Sequence, residues 1–206
     1  MLIPEGGSCF ELEIKKSRFI SEVTPAGSPA EAREILKSKR REHPDAAHVV
    51  HAFITGAERQ HMGMSDDGEP SGTSGKPALE VLKGRGVTNL MLTIVRYFGG
   101  TKLGTGGLVR AYSEAARGAL DRLKTVPLVT YTSFRIKADY SFYQPLSATA
   151  GIHECRIETE SFGTAVEIEG LVPEEKADAF KAAVTSLSSG RAEINVGSEN
   201  QTVILE

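Results

Sequence analysis

Two short segments of this chain concentrate groups able to hold a charge, a metal or a phosphate. The first is Ser65-Asp66-Asp67-Gly68-Glu69-Pro70-Ser71-Gly72-Thr73-Ser74-Gly75-Lys76-Pro77, with three carboxylates, three glycines, two prolines and no aliphatic or aromatic side chain. Carboxylates this close together suit a magnesium ion held with waters. The same composition also makes a solvated turn. The spacing matches no calcium-loop template, which favours the turn. With nothing apolar to bury, the segment is expected to stay outside the core. Loops of this length usually have a function of their own.

The second segment is Arg96-Tyr97-Phe98-Gly99-Gly100-Thr101-Lys102-Leu103-Gly104-Thr105-Gly106-Gly107-Leu108. Its five glycines lie between an apolar run and an amphipathic one. Backbone N–H groups of Gly99, Gly100, Gly104, Thr105, Gly106 and Gly107 are then free to point outward, and a following helix adds its partial positive end. Arg96, Lys102 and Arg110 supply charge, with Lys76 from the first segment, and no acidic residue occurs between Arg96 and Glu114. The pattern reads as an anion site. The alternative is that the glycines only permit tight turns and close strand-helix packing.

Other chemistries lack support. The third glycine of a dinucleotide fingerprint is Val109, and Gly75-Lys76 is followed by Pro77 and lacks the spacing of a P-loop. His43, His48, His51 and His61 follow no zinc spacing, and His48 and His51 fall on opposite faces of an extended segment. No serine sits in Gly-x-Ser-x-Gly. The two cysteines, Cys9 and Cys155, are far apart and read as small buried hydrophobes. No metal and no cofactor is expected.

The elements that must position these groups are α+β in both halves. Extended patterns cover Phe10–Ile14 and Arg18–Thr24. Ser28-Pro29-Ala30-Glu31 starts a helix that ends at His43-Pro44. His48–Thr55 reads as a strand, the apolar run Leu90–Val95 as a central strand, and residues from about Gly107 to Lys124 as a helix burying Leu108, Ala111, Tyr112, Ala115, Ala119 and Leu123. Beyond the Val126-Pro127 junction come a strand at Tyr131–Ala138 and a helix opened by a Ser141/Gln144 capping box. A hairpin of Cys155–Glu160 with Val166–Glu169 follows, then a helix placing Ala177, Phe180, Val184 and Leu187 on one face, and a last strand from Ala192 toward Leu205. The order strand, helix, strand, strand, helix, strand predicts a ferredoxin-like βαββαβ domain at 127–206 after a first domain at 1–126. The net charge of −3 averages a first part with 18 basic and 15 acidic residues and a second with 6 and 12.

Ser65 to Pro77, Ile94-Val95-Arg96-Tyr97-Phe98-Gly99-Gly100 and Leu103-Gly104-Thr105-Gly106-Gly107-Leu108 closely resemble the IMPACT family and its bacterial YigZ-type members. Lys15-Lys16-Ser17-Arg18-Phe19 and His43-Pro44-Asp45-Ala46 are also similar to that family's pattern. The resemblance implies an N-terminal domain similar to domain IV of elongation factor G and to the second domain of ribosomal protein S-five. It implies a C-terminal domain similar to domain V of elongation factor G. The function it points to is a non-enzymatic, translation-associated regulator that binds RNA or the ribosome through the glycine-rich, locally basic face. A GHMP-type small-molecule kinase with Asp66 or Asp67 on magnesium, or a protein-protein adaptor, is the alternative. A chain with no apolar run long enough to span a bilayer is expected to be cytoplasmic, with no membrane partner.

Overall fold

The computed structural model describes the backbone of residues 1–204 and the side chains of residues 1–197. Met1–Pro127 forms one compact unit and a second begins at Leu128. The first unit runs β1 (Leu2–Pro4), β2 (Ser8–Ile14), β3 (Ser17–Pro25), α1 (Pro29–Glu42), β4 (His48–Thr55), β5 (His61–Ser65), α2 (Gly75–Lys83), β6 (Leu90–Tyr97) and α3 (Thr105–Leu120). Its antiparallel sheet has the order β2-β3-β6-β4-β5.

The apolar run of β6 makes it the central strand, buried from Leu90 through Arg96 because helices cover both faces. Successive side chains alternate between those faces. Leu90, Leu92 and Ile94 enter a core with Ala78 and Leu82 of α2 and Leu108, Tyr112 and Ala115 of α3, while Met91 packs against α1 at Ala32, Ile35 and Leu36. Helix α1 forms where its cap sequence requires: Ser28 Oγ accepts from Glu31 N at 3.2 Å, Pro29 opens the first turn and His43 closes the last. Helix α3 starts at Thr105 and ends at Leu120, earlier at both ends than the apolar stripe predicts. Strand β5 is short and mostly exposed, and helix α2, although Ala78 and Leu82 fall one turn apart on a buried face, is only nine residues long and opens inside the polar segment 65–77, whose final three residues belong to it.

In the second unit, β7 (Thr125–Ala138) pairs with β9 (Val166–Pro173) on one side and β10 (Glu193–Ile204) on the other, and β8 (Arg156–Phe162) forms an edge beside β9. All these pairs are antiparallel. Helices α4 (Tyr143–Ile152) and α5 (Ala177–Leu187) share one core with the sheet, in which the rings of Phe134 and Phe180 meet edge-on at 4.9 Å. The first unit ends at Pro127, at the Val126-Pro127 junction, and β7 runs through this point without a break, its first three residues pairing with β1. The Ser141/Gln144 box does not form: a 3₁₀ turn at Tyr140–Phe142 leads directly into α4, with no side chain capping it. Leu187 is 38% exposed and off the buried face of α5, and Cys9 is exposed rather than buried. The last strand resumes as predicted after an irregularity between Val196 and Asn200 and pairs with β7 as far as Ile204, and Leu205 lies outside the described residues. No helix among the described residues is long and apolar enough to cross a membrane.

The central position of β6 sets a measurable cost. Leu92→Ala, which empties a fully buried site between strand and helices, is expected to lower the stability of the first unit by about 2–5 kcal/mol in urea unfolding.

Candidate functional site

Arg96 falls on the same face of β6 as Leu92 and Ile94, so its side chain points toward α3 and not toward solvent. It is 6% exposed, and its Nη1 donates to Glu69 Oε1 at 2.6 Å. Glu69 is 3% exposed and its Oε1 also accepts from the hydroxyl of Tyr112 at 2.7 Å. Burial first, and then the hydrogen bond to this carboxylate, pushes the Tyr112 phenol far above its ordinary range, so it stays protonated as a donor. Arg96 Nη2 lies 3.4 Å from Ser17 Oγ, which also accepts from Gly99 N at 3.1 Å. The guanidinium is within 5.4 Å of the Phe19 ring centre and 5.6 Å of Phe98. A loop, a central strand, a helix and a hairpin thus meet at one buried ion pair.

The carboxylates of the first segment therefore do not form a solvated turn. Glu69, Thr73, Ser74 and Gly75 are buried, because their polar groups are satisfied inside the protein. Asp66 Oδ1 accepts from Ser74 N at 3.1 Å, Ser74 Oγ at 2.7 Å and Gly75 N at 2.8 Å, and its Oδ2 accepts from Gly72 N at 2.8 Å. It caps α2 from the opposite end of the loop. Burial alone would raise its pKa, but these bonds together hold it below the usual carboxylate range. Asp67, at φ +46°, accepts from Val49 N at 2.7 Å and pairs with Arg40. Its carbonyl lies 2.8 Å from His48 Nδ1, which must carry the proton there, so His48 Nε2 faces Glu69 at 3.8 Å. The three carboxylates face different partners and do not converge as magnesium ligands; Asp66 and Asp67, proposed for that role in the kinase alternative, are held by backbone N–H groups.

The glycine-rich segment lies above this pair. A Cβ on Gly99 would stand 2.0 Å from the carbonyl carbon of Lys16, so only glycine lets the loop rest on the β2-β3 hairpin tip. Lys15 and Lys16 form that tip with φ of +48° and +63°, a turn geometry normally left to Asn or Gly. Gly100 and Gly104 also need positive φ. Gly106 needs nothing of the kind: a Cβ there meets open space and its backbone is ordinary helix. Helix α3 has Gly104 as its N-cap, with no side-chain cap and no acidic residue in its first turn, which leaves the N–H groups of Thr105, Gly106 and Gly107 without an intrahelical acceptor.

A cavity of about 320 Å³ opens at this helix end, lined by Glu69, Pro70, Arg96, Phe98, Lys102 and Thr105 among others. It brings together Arg96, Lys102, Gly104 and Thr105 of the anion candidates with Glu69 and Pro70 of the signature loop. Arg96 departs from the expected role, since Glu69 neutralises it in place; Lys102 is the exposed cation of the cavity. Lys76 lies elsewhere, in a groove between α2 and α3 with Gly72 and Arg117, and Arg110 is exposed on α3. Gly68, at φ +87°, lies in the turn that carries Asp67 past His48.

Sequence reasoning missed Tyr112, Ser17 and the two lysines of the hairpin tip. Tyr112 sits on a core stripe, and the signal was its hydroxyl, which needs a partner when buried. Ser17, Lys15 and Lys16 stood in a recognisable motif, but only the β2-β3-β6 register brings them to the glycines.

Fold and site define a two-unit α+β protein whose glycine-rich signature closes over a buried ion pair. Residues 15–120 match the Impact N-terminal domain and residues 136–191 the Domain of unknown function (DUF1949). The chain belongs to the IMPACT family. It is 36% identical over 195 residues to the IMPACT family member YigZ of Escherichia coli, covering 94% of this chain and 96% of that one. It is 35% identical over 197 residues to an IMPACT family member of Haemophilus influenzae, with 95% and 96% covered. It is 33% identical over 187 residues to the member YvyE of Bacillus subtilis, with 91% and 86% covered. A crystal structure of a hypothetical protein, 36% identical, superposes with a TM-score of 0.68 over 96% of this chain and 97% of its own.

Removing one partner of the buried pair strands the other. Glu69→Ala is expected to cost about 3–5 kcal/mol in thermal or urea unfolding. Asp66→Asn is expected to cost about 1–2 kcal/mol at neutral pH through loss of the α2 cap. Because the folded Asp66 titrates below its free value of about 3.9, that contribution is complete above the free value, declines below it and is lost as pH falls through the lower folded value. Stability curves of the two proteins should therefore converge below about pH 4.

Proposed function

We propose that this protein is a non-enzymatic, translation-associated regulator that binds the phosphate backbone of RNA, on the ribosome or free. The observation carrying this reading is the uncapped start of α3, flanked by exposed Lys102 and by the Lys15-Lys16 tip that Gly99 holds against the loop. None of these three lysines makes an ion pair among the described residues. Backbone N–H groups at a helix start and nearby ammonium groups are what phosphates attract, and they position a nucleic acid without reading its bases. Gly106 supports the same reading, since a residue that the fold does not require to be glycine leaves the helix end open to close approach.

The element order of the second unit supports its likeness to a ferredoxin-like βαββαβ domain and to domain V of elongation factor G, with domain IV as the counterpart of the first unit. Both relatives act against RNA, and the likeness is the reason for preferring RNA over another polyanion.

Affinity for RNA should fall steeply with salt, and Lys16→Glu with Lys102→Glu should weaken binding and flatten that slope by about 0.7 for each phosphate no longer neutralised. Gly106→Glu should raise folding stability, because glycine is a poor helix residue and a carboxylate is favourable at a helix start, and yet abolish binding. Fluorescence anisotropy and sedimentation with ribosomes at low and high salt measure these outcomes. Absence of binding at low salt, or binding indifferent to these substitutions, overturns the reading. Association with ribosomal proteins that survives nuclease treatment would instead point to an adaptor.

A further inference from the structure

Phe98 is an exposed aromatic side chain, 53% accessible, in a segment that otherwise offers glycines and cations. It lines the same cavity as Lys102, Gly104 and Thr105, at the open start of α3. Its ring does not stand alone: the Arg96 guanidinium lies 5.6 Å from its centre, and Arg96 is in turn fixed by Glu69 and Ser17. A ring held near a buried cation has fewer ways to turn aside, while its exposed part remains open to solvent. Arg96 also keeps one N–H, at Nε, buried and without an acceptor among the described residues. The cavity volume of about 320 Å³ lies at the small end of ligand pockets, which suits one nucleotide unit and not a duplex.

We propose that Phe98 is a stacking platform for an unpaired base, and that the strand carrying that base places its phosphate on the N–H groups of Thr105, Gly106 and Gly107 beside Lys102. The ligand is then single-stranded RNA. This rests on the phosphate-binding reading above and narrows it. A base inside a duplex has both faces covered by its neighbours and offers none to a side chain, whereas an unpaired base can stack on an aromatic ring whatever its identity. The arrangement combines the two parts of a single-strand site, an aromatic face and a cationic track for the backbone.

The test uses the intact chain, a labelled ten-nucleotide RNA of mixed sequence, the same RNA annealed to its complement, and a nucleoside monophosphate. The wild type should bind the single strand more tightly than the duplex. Phe98→Ala should weaken single-strand binding roughly 5- to 100-fold, the range expected for removal of one base-aromatic stack, and should leave duplex binding nearly unchanged. Because the chain contains no tryptophan, Phe98→Trp introduces a single tryptophan at the platform, whose emission can be excited apart from the five tyrosines. Its emission should be quenched on saturation with the single strand, with affinity near that of the wild type. Phe98 is exposed, so circular dichroism and melting of both variants should match the parent.

Unchanged single-strand affinity in Phe98→Ala, or no quenching in Phe98→Trp, overturns the stacking proposal. If the lysine substitutions abolish binding while Phe98→Ala does not, only the stacking fails and phosphate binding stands. If the wild type binds neither RNA at low salt, the functional reading itself fails. Equal affinity for the monophosphate and the strand overturns the assignment to a strand, and a preference for duplex overturns it as well.

Discussion

The ion pair between Glu69 and Arg96 is the interaction on which the rest of the first unit depends. Each group, taken out of water alone, would carry a penalty of several kcal/mol, and their attraction offsets this only if the remaining donors and acceptors are also satisfied. Tyr112 and Ser17 provide most of that satisfaction. The pair consequently fixes the relative positions of four pieces of chain: the loop carrying Glu69, the central strand β6, helix α3 and the β2-β3 hairpin. It also explains how a segment without one aliphatic or aromatic side chain comes to bury Glu69 and Thr73 to Gly75 while Gly68, Pro70, Ser71 and Lys76 stay exposed. Glu69 is drawn in by Arg96, and Asp66 and Asp67 hold the two sides of the loop to α2 and β4.

This arrangement separates cations that look alike in the sequence. Arg96 is desolvated and neutralised, and its contribution is to position Phe98 and the loop. Lys102, Lys15 and Lys16 remain in water, where they can exchange counterions for phosphates. A first unit with a surplus of only three basic residues can still present Lys15, Lys16 and Lys102 outward, because Glu69 is buried against Arg96, while Glu11 and Glu13 of the hairpin stay exposed beside them. The second unit distributes charge differently. Its Arg135–Glu169 and Lys137–Glu167 pairs stand exposed across neighbouring strands, where they give little stability and no net field.

The glycines divide in the same physical way. At Gly99 a Cβ would overlap the Lys16 backbone, at Gly75 it would overlap Ser65, and at Gly100 and Gly104 the backbone needs positive φ. These follow from the fold. Gly106 does not, and its only evident consequence is an unobstructed helix start. Among the five glycines of the segment, Gly99 is required by close contact and Gly100 and Gly104 by backbone conformation, so most of them are there for the fold and not for a ligand.

The sequence by itself determined the elements that depend on near neighbours. The α1 cap, the central strand β6, the α3 stripe and the alternation of the second unit were legible because caps and periodic patterns act over a few residues. The parity of Arg96 with Leu92 and Ile94 was legible too, and would have placed its side chain in the core had it been weighed against the glycines. Strand β5 and the burial of Glu69 were not legible, since neither has an apolar pattern and each is stabilised by partners far along the chain, and the Ala78/Leu82 stripe of α2 is too short to be told from a loop when it opens inside a polar segment. Only the tertiary structure decided that Arg96 meets Glu69 across 27 positions, that Asp66 caps a helix eight residues on, and that Lys16 stands against Gly99. Charge and hydrogen-bond pairing of this kind acts between groups adjacent in space, and a local pattern carries no record of which distant residue will be there.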